Sequence, residues 1–404
     1  MRRIVLSFAI LAACSRPAAT PPVAAEATRE DLKTIESERG NVLNMATGAS
    51  VVSRTGEMTL DSSAVAAIDG ESGTGWGAPP ADIDQTIVFA LPSMTRIENV
   101  GILTPRPDPL RINNLRLEAS SDGTTFVKLA EPALTSSADS QMFPVTPVDA
   151  QFIRFTLTGA AGNFPSLLSL QVRGQFLSVV RPASIAGCWN VNGEAATFQE
   201  NGGAISGRIG ADVPIVLSGG AEAAVYRFTW VHGPDHGVAA MTVAPGAATM
   251  SGLRWYERAQ ATHTGGAWFG DKSPCGSVSK AAARDLPSTF LERAGRYPLY
   301  TLRFDEQDHI AAVDEISWNA ITSALARNPS QKVSLVAREY RSESAETNAR
   351  RARARIDSLR AALTTRGADL SRIELVAAGS DEALASPASE LIRLMHSAVE
   401  ISVK

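Results

Sequence analysis

The spacing of the apolar residues changes once along this chain, close to Pro287, and this change limits what the chain can fold into. From 41 to 177, and again from 178 to 278, short runs alternate apolar with polar residues and are separated by turn residues. Beyond Pro287, apolar residues recur with the helical period between short apolar runs. Alternation is typical of strands, and a 3.6-residue period is typical of helices. We therefore predict a multidomain protein: a β-sandwich at 41–177, a small all-β domain at 178–278 and an α/β sandwich at 290–404.

Residues 1–14 have the pattern of an export signal. Two arginines after the start precede an apolar run, 4–13, which is shorter than the about 20 apolar residues that a membrane-spanning helix needs. The run ends in Leu11-Ala12-Ala13-Cys14, which resembles the bacterial lipobox and implies attachment of a lipid to Cys14. Ser15 stands where lipoproteins of the inner membrane usually carry aspartate, so the resemblance implies an outer-membrane lipoprotein that faces the periplasm. The alternative is an ordinary secretory signal in which Cys14 is incidental.

Residues 15–40, which are polar and begin rich in Pro and Ala, are expected to form a flexible tether.

The remaining cysteines support an oxidising compartment. Beyond Cys14 the chain has two further cysteines, Cys188 and Cys275, and an even remainder in an exported chain predicts a disulfide. That bridge would join the first and last strands of the segment 178–278. Two buried free thiols are the alternative.

Several classes of protein find no support in the composition. A formal charge of −4 argues against a general nucleic-acid binder. The sequence contains no P-loop, no Gly-x-Ser-x-Gly and no His-Glu-x-x-His motif, so we expect neither an enzyme nor a cofactor. Two of the five histidines, His232 and His236, have a spacing that metal ligands use on helices. Gly233 and Pro234 lie between them, which favours a hairpin loop over a metal site.

The first folded segment, 41–177, resembles the discoidin or factor V/VIII type C domain, a galactose-binding-like jelly roll. The matching stretches occur in the family's order: Asn41-Val42-Leu43, Ala67-Ile68-Asp69-Gly70, Thr74-Gly75-Trp76, Ser120-Ser121-Asp122-Gly123-Thr124-Thr125-Phe126, Gln151-Phe152-Ile153-Arg154-Phe155 and Leu168-Ser169-Leu170-Gln171-Val172-Arg173-Gly174. The resemblance implies binding of a glycan or another surface ligand by loops at one end of the sandwich.

The same resemblance suggests individual site residues. Asp69 and Thr74 fall where the family often places ligands of a structural calcium ion, and oxygen ligands suit that cation. Ser169 stands where the family often has glutamate, which weakens the expected calcium site. Trp76 is expected to be a core residue rather than a sugar platform. Phe164 and the loop 106–109 are candidate ligand contacts.

The middle segment, 178–278, contains a hairpin signal, with the turn Asn201-Gly202-Gly203 between two alternating runs. Gly187-Cys188-Trp189 resembles the start of small all-β envelope domains. The residues do not indicate a function for this segment.

The last segment, 290–404, is predicted to have the order βαβαβαβ. The expected strands and helices lie at 302–304, 313–324, 333–336, 352–363, 373–376, 389–395 and 399–403. This order resembles the OmpA-like domain, which binds peptidoglycan stem peptides, and matching residues include Phe304, Leu325, Asn348, Arg355, Leu359, Gly367, Ile373 and Gly379.

The OmpA-like signature is incomplete. The family's ligand-binding aspartate falls on Tyr340, and its Asn-Arg-Arg falls on His396-Ser397-Ala398. Asn348 and Arg355 remain, and Arg355 matches the arginine that pairs with the ligand carboxylate, a task that suits a guanidinium group. The alternative is that Arg355 belongs to a solvated helix face and pairs with neighbouring acids, namely Glu343, Glu346 or Asp357.

Two functions follow from these patterns. The first is a non-catalytic envelope lipoprotein whose discoidin-like domain binds a glycan and whose OmpA-like domain associates with peptidoglycan. The second is an assembly scaffold in which both domains contact envelope proteins after the loss of their ancestral ligand sites.

Overall fold

A computed structural model describes residues 40–71, 73–78, 84–137, 139–256, 264–275, 286–312, 315–340, 344–380 and 389–404. The signal peptide with Cys14 and the tether up to residue 39 lie outside the described residues. The described chain forms three units: a β-sandwich, a closed eight-stranded barrel and a mixed α/β region.

The sandwich is built on two long strands that bend. Its strands are β1 Ser50–Arg54, β2 Trp76–Gly77, β3 Thr86–Leu103, β4 Ile112–Ser120, β5 Val127–Ala130, β6 Gln141–Ala160, β7 Ser166–Leu167 and β8 Ser169–Phe176. The main sheet has the order β1-β3-β6-β4-β5, β8 pairs with β3, and β2 pairs with β7. The register between β3 and β6 shifts between Ala90 and Thr95, and such irregularities bend strands. Alternate residues of β6, Ile153, Phe155 and Leu157, are buried as the alternation predicted.

The middle unit is a closed antiparallel barrel. Its strands are β9 Gly187–Val191, β10 Glu194–Asn201, β11 Ala204–Ile209, β12 Ile215–Glu222, β13 Val225–His232, β14 Asp235–Val243, β15 Thr249–Trp255 and β16 Thr264–Lys272. Strand β16 pairs with β9 and closes the barrel around a core that includes Trp189, Phe198, Phe228 and Trp230. The predicted hairpins are confirmed: β10 pairs with β11, and His232 and His236 lie on the β13–β14 hairpin.

The predicted disulfide is confirmed. Cys188 in β9 is bonded to Cys275, which follows β16, and the two Cα atoms are 5.1 Å apart. The bridge therefore joins the first and last strands of the barrel where they also pair by hydrogen bonds.

The α/β region contains the strands β17 Arg296–Pro298, β18 Arg303–Phe304, β19 Ile310–Ala312, β20 Val333–Arg338, β21 Ile373–Gly379 and β22 Val399–Val403. Its helices are α1 Leu286–Ala294, α2 Glu315–Arg327, α3 Ala345–Thr365 and α4 Glu390–His396. The four-stranded sheet has the order β17-β22-β20-β21, and only β20 and β21 in it are parallel. No helix in the described part of the chain has an apolar stretch long enough to cross a bilayer.

The first strand of this sheet was predicted at the wrong place. Residues 303–304 form a separate two-stranded ribbon with β19, whereas β17 pairs with β22 in the sheet. The ribbon turns at Asp305, whose side chain accepts hydrogen bonds from the N–H groups of Gln307 and His309. This local turn chemistry makes the ribbon a hairpin of its own.

The three units share packing. The apolar core of the sandwich continues onto outward-facing barrel residues and onto helix α4. Ser251 of the barrel accepts a hydrogen bond from the N–H of Val51 at 2.9 Å. On the other side of the barrel, Arg227 donates to the carbonyl oxygens of Leu394 and Ser397. The barrel therefore lies against both other units.

Candidate functional site

A cavity of about 460 Å³ opens where loops of the sandwich meet. It is lined by Asp61, Ser62, Gly73, Thr74, Gly75, Trp76, Gly77, Pro105, Leu110, Ser166 and Leu168. Its carboxylate, hydroxyl and backbone groups can donate to or accept from a polar ligand. A Cβ atom on Gly75 would lie 2.5 Å from the carbonyl oxygen of Leu167, so a side chain at this position would disturb the wall. A pocket of this size is typical of small-molecule sites.

Phe164 lies two residues before Ser166, which lines the cavity, and Phe164 is 42% exposed. Its backbone N–H donates to the carbonyl oxygen of Pro109 at 2.9 Å, and the N–H of Ala161 donates to the carbonyl oxygen of Arg111 at 3.0 Å. These bonds hold the loop of Phe164 against the loop 106–109. The two predicted ligand-contacting segments are therefore adjacent.

Trp76 lies behind the cavity in the core. Its side chain is fully buried, its Nε1 donates to the carbonyl oxygen of Gly56 at 2.9 Å, and its ring meets the edge of Phe155 at 5.7 Å between centroids. The prediction that Trp76 is a core residue is confirmed. The sequence did not reveal Asp61 and Ser62 as lining residues, because they lie in a loop without a distinctive pattern.

The structure places Asp69 and Thr74 in hydrogen-bond contact. Asp69 is 3% exposed; its Oδ2 accepts from the Thr74 hydroxyl at 2.7 Å and its Oδ1 accepts from the N–H of Glu71 at 2.8 Å. Burial raises the pKa of the Asp69 carboxyl to about 8, although both hydrogen bonds act to lower it.

The described residues around Asp69 do not fit a calcium ion. Both Asp69 oxygens are engaged by donors within its own loop. Ser169 contributes no carboxylate, and the described residues contain no group of three or more His, Cys, Asp and Glu residues arranged to hold a metal ion. Calcium needs six to eight oxygen ligands, and carboxylates usually supply several of them.

Arg355 lies inside the α/β region rather than on a solvated face, so that alternative prediction is wrong for this residue. It is 5% exposed, its Nε donates to Asp308 at 2.9 Å, and one Nη forms an ion pair with Glu339 at 2.9 Å. Its guanidinium also lies over the ring of Phe304, at 4.9 Å. Arg351 contacts the same two carboxylates, at 3.2 Å from Asp308 and 3.7 Å from Glu339.

The other predicted residues near Arg355 are also buried. Asn348 is 4% exposed and Tyr340 is 7% exposed, and the Tyr340 N–H donates to the Ser397 hydroxyl at 2.9 Å. On helix α3, which carries Asn348 and Arg355, Arg360 is exposed and pairs with Asp357 at 2.7 Å, as a solvated face requires. The acids that hold Arg355, Asp308 and Glu339, come from a turn and a strand end, and neither was singled out in the sequence.

The sandwich is a part of the chain that resembles known proteins. Residues 48–170 match the family model of the F5/8 type C domain. No curated protein matches the chain. Similar solved structures include the C-terminal domain of a chitobiase from Bacteroides fragilis, at 23% identity over 33% of this chain and 97% of that one, with a TM-score of 0.31.

Two further similar structures come from Clostridium perfringens. One is the family 32 CBM of NanJ in complex with galactose, at 24% identity, covering 33% of this chain and 97% of that one, with a TM-score of 0.29. The other is CpGH89CBM32-5 in complex with GalNAc-β-1,3-galactose, at 25% identity, covering 31% of this chain and 93% of that one, with a TM-score of 0.28. On the evidence of the family model and the observed sandwich, residues 48–170 of this chain are an F5/8 type C domain.

Proposed function

We propose that the F5/8 type C domain binds a carbohydrate at the loop end of its sandwich, and that the protein is a non-catalytic binding protein of the cell envelope. The observation that carries the proposal is the exposed Phe164 in the loop that leads to the lining residue Ser166 of a cavity of about 460 Å³. The match of residues 48–170 to the domain family supports it, because related modules have been solved with galactose-containing sugars.

The chemistry of the site suits a sugar. A pyranose ring has one apolar face of C–H groups, which can pack against an exposed aromatic ring such as Phe164. Its hydroxyl groups need donors and acceptors, which Asp61, Ser62, Thr74 and Ser166 supply from the cavity lining. A site of this kind positions a ligand without needing an acid, a base or a nucleophile.

The envelope location is part of the proposal. It rests on the lipobox-like sequence at Cys14, which implies a lipid anchor in the outer membrane, with residues 15–40 as a tether. The Cys188–Cys275 disulfide supports an oxidising compartment such as the periplasm.

The second candidate function is an assembly scaffold in which the α/β region contacts envelope proteins rather than peptidoglycan. It is favoured by Arg355, because Asp308 and Glu339 already occupy the positions at which a ligand carboxylate would pair with this guanidinium. Peptidoglycan binding in the manner of OmpA-like domains would require Arg355 to leave those partners. A sedimentation assay of the whole protein with purified sacculi tests this directly, and we expect the protein to stay in the supernatant. Co-sedimentation that saturates with protein concentration would restore peptidoglycan as a ligand.

A glycan array tests the carbohydrate proposal. We expect the purified protein to bind a restricted set of sugars, with galactose-terminated glycans as the first probes, and Phe164→Ala to lose the signal. Val127→Ala is the matched control, because Val127 is 54% exposed on β5 of the same domain. The proposal fails if no sugar is bound, or if Phe164→Ala and the wild type give the same pattern.

A further inference from the structure

One wall of the sandwich cavity is attached to the α/β region. Residues 73–77 line the cavity, and this segment begins two positions after Glu71 in the chain. The Glu71 carboxylate accepts a hydrogen bond from the backbone N–H of Ser389 at 2.5 Å, although the two residues are 318 positions apart. Ser389 caps helix α4 by accepting from the N–H of Ile392 at 3.2 Å. Glu71 therefore connects the loop of the candidate site to the start of a helix in another unit.

Helix α4 is firmly placed against the sandwich. Leu391, Ile392 and Met395 are at most 4% exposed and belong to the same apolar cluster as the sandwich core. The carbonyl oxygen of Met395 accepts a hydrogen bond from the Tyr300 hydroxyl, and that of Leu394 accepts from Arg227 of the barrel. Because the helix is held on several sides, it is a rigid support for a loop that contacts it.

The loop itself is tightly enclosed at this point. Gly70 has φ +83°, and a Cβ atom there would lie 2.8 Å from the Asn44 side chain and 3.4 Å from the Cβ of Ser389. On the far side of Glu71, the Thr74 hydroxyl donates to Asp69 at 2.7 Å and lies 3.3 Å from the Glu71 carbonyl oxygen. The hydrogen bonds thus run without interruption from Ser389 through Glu71 to Thr74 in the cavity wall.

We infer that Glu71 is a positioning residue. Its hydrogen bond to Ser389 attaches the cavity wall 73–77 to helix α4 and keeps this wall in its ligand-binding arrangement. Sugar binding and docking of helix α4 are then coupled, and the coupling acts in both directions. The coupling to sugar binding rests on the proposed function, whereas the attachment of the wall by Glu71 is a property of the free protein.

Hydrogen exchange of the whole protein tests the coupling. Glu71→Ala removes a hydrogen bond to a charged acceptor, and we expect amide exchange to become roughly tenfold faster or more in both 69–77 and 389–396. Glu71→Gln keeps an acceptor oxygen and should restore much of the protection. Glu98→Ala, which removes an exposed acid from β3 of the same domain, should change neither segment. Exchange in the barrel strand β13 reports any general loss of stability.

The result that would overturn the inference is unchanged exchange in 69–77 in Glu71→Ala, or equal acceleration throughout β13. Titration with galactose adds a readout of binding. We expect about tenfold weaker binding by Glu71→Ala, partial recovery in Glu71→Gln, and slower exchange at 389–396 when galactose is bound. If the wild-type protein binds no galactose, the proposed function loses its first probe, while the exchange of the free variants still decides whether Glu71 holds the wall.

Discussion

Replacing Arg355 with alanine should destabilise the α/β region rather than remove a ligand. Arg355 pairs at 2.9 Å with both Asp308 and Glu339, whose side chains are 8% and 0% exposed. Removing the guanidinium leaves two buried carboxylates with less compensation, and breaking a buried pair in this way costs about 3–5 kcal/mol. Arg351 contacts the same carboxylates and stays in place, so the loss of unfolding free energy should be about 3 kcal/mol.

Urea unfolding measured by circular dichroism gives this free energy. Arg360→Ala is the matched control on the same helix, because Arg360 forms an exposed pair with Asp357 and exposed pairs contribute roughly 0.2–1 kcal/mol. Combining Arg355→Ala with Glu339→Gln removes one of the buried charges and should recover part of the loss. The reasoning is refuted if Arg355→Ala unfolds at the same urea concentration as the wild type, since Arg355 would then be available for a ligand.

Three further predictions concern the sandwich and the barrel. Asp69 has a pKa near 8 in the folded protein against 3.8 ordinarily, so between these pH values the unfolded chain releases a proton that the folded chain keeps. The free energy of unfolding, measured in EDTA, should therefore fall as pH rises from 4 to 8, and Asp69→Asn should remove this pH dependence. A free energy of unfolding that rises with pH over this range would contradict a buried neutral carboxyl. Trp76→Ala should lower the free energy of unfolding by about 3–5 kcal/mol because the ring is fully buried. A change of less than about 1 kcal/mol would argue against a core role for Trp76. Reducing the Cys188–Cys275 disulfide should lower barrel stability by about 2–4 kcal/mol, measured by melting with and without reductant, and equal melting temperatures would refute this.

The sequence was informative about local structure. Alternating apolar residues identified β6 of the sandwich and the β10–β11 hairpin, because a strand with one buried face must alternate. The closure of the barrel could not be predicted this way. It depends on pairing of β9 with β16, which are separated by about 80 residues and carry no local signal for each other.

At the candidate sites too, residues with a local signal could be predicted, whereas their partners from distant segments could not. Phe164 was predicted as a ligand contact because it is an aromatic residue in a loop of a recognisable domain, whereas Asp61 comes from a different loop and lines the cavity only after folding. Arg355 was identified as a residue of interest, but its partners Asp308 and Glu339 were not. They approach it from a turn and from the end of a strand, and the helical period of α3 contains no information about either.

Isothermal titration of the whole protein with galactose tests the central claim most directly. We predict a saturable binding isotherm for the wild type and for Val127→Ala, and at least about tenfold weaker binding for Phe164→Ala, the effect expected when a central aromatic contact is removed. Circular dichroism should show that both variants remain folded, because both side chains are exposed. Equal affinity in wild type and Phe164→Ala would contradict the account, as would the absence of binding to galactose and to GalNAc-β-1,3-galactose.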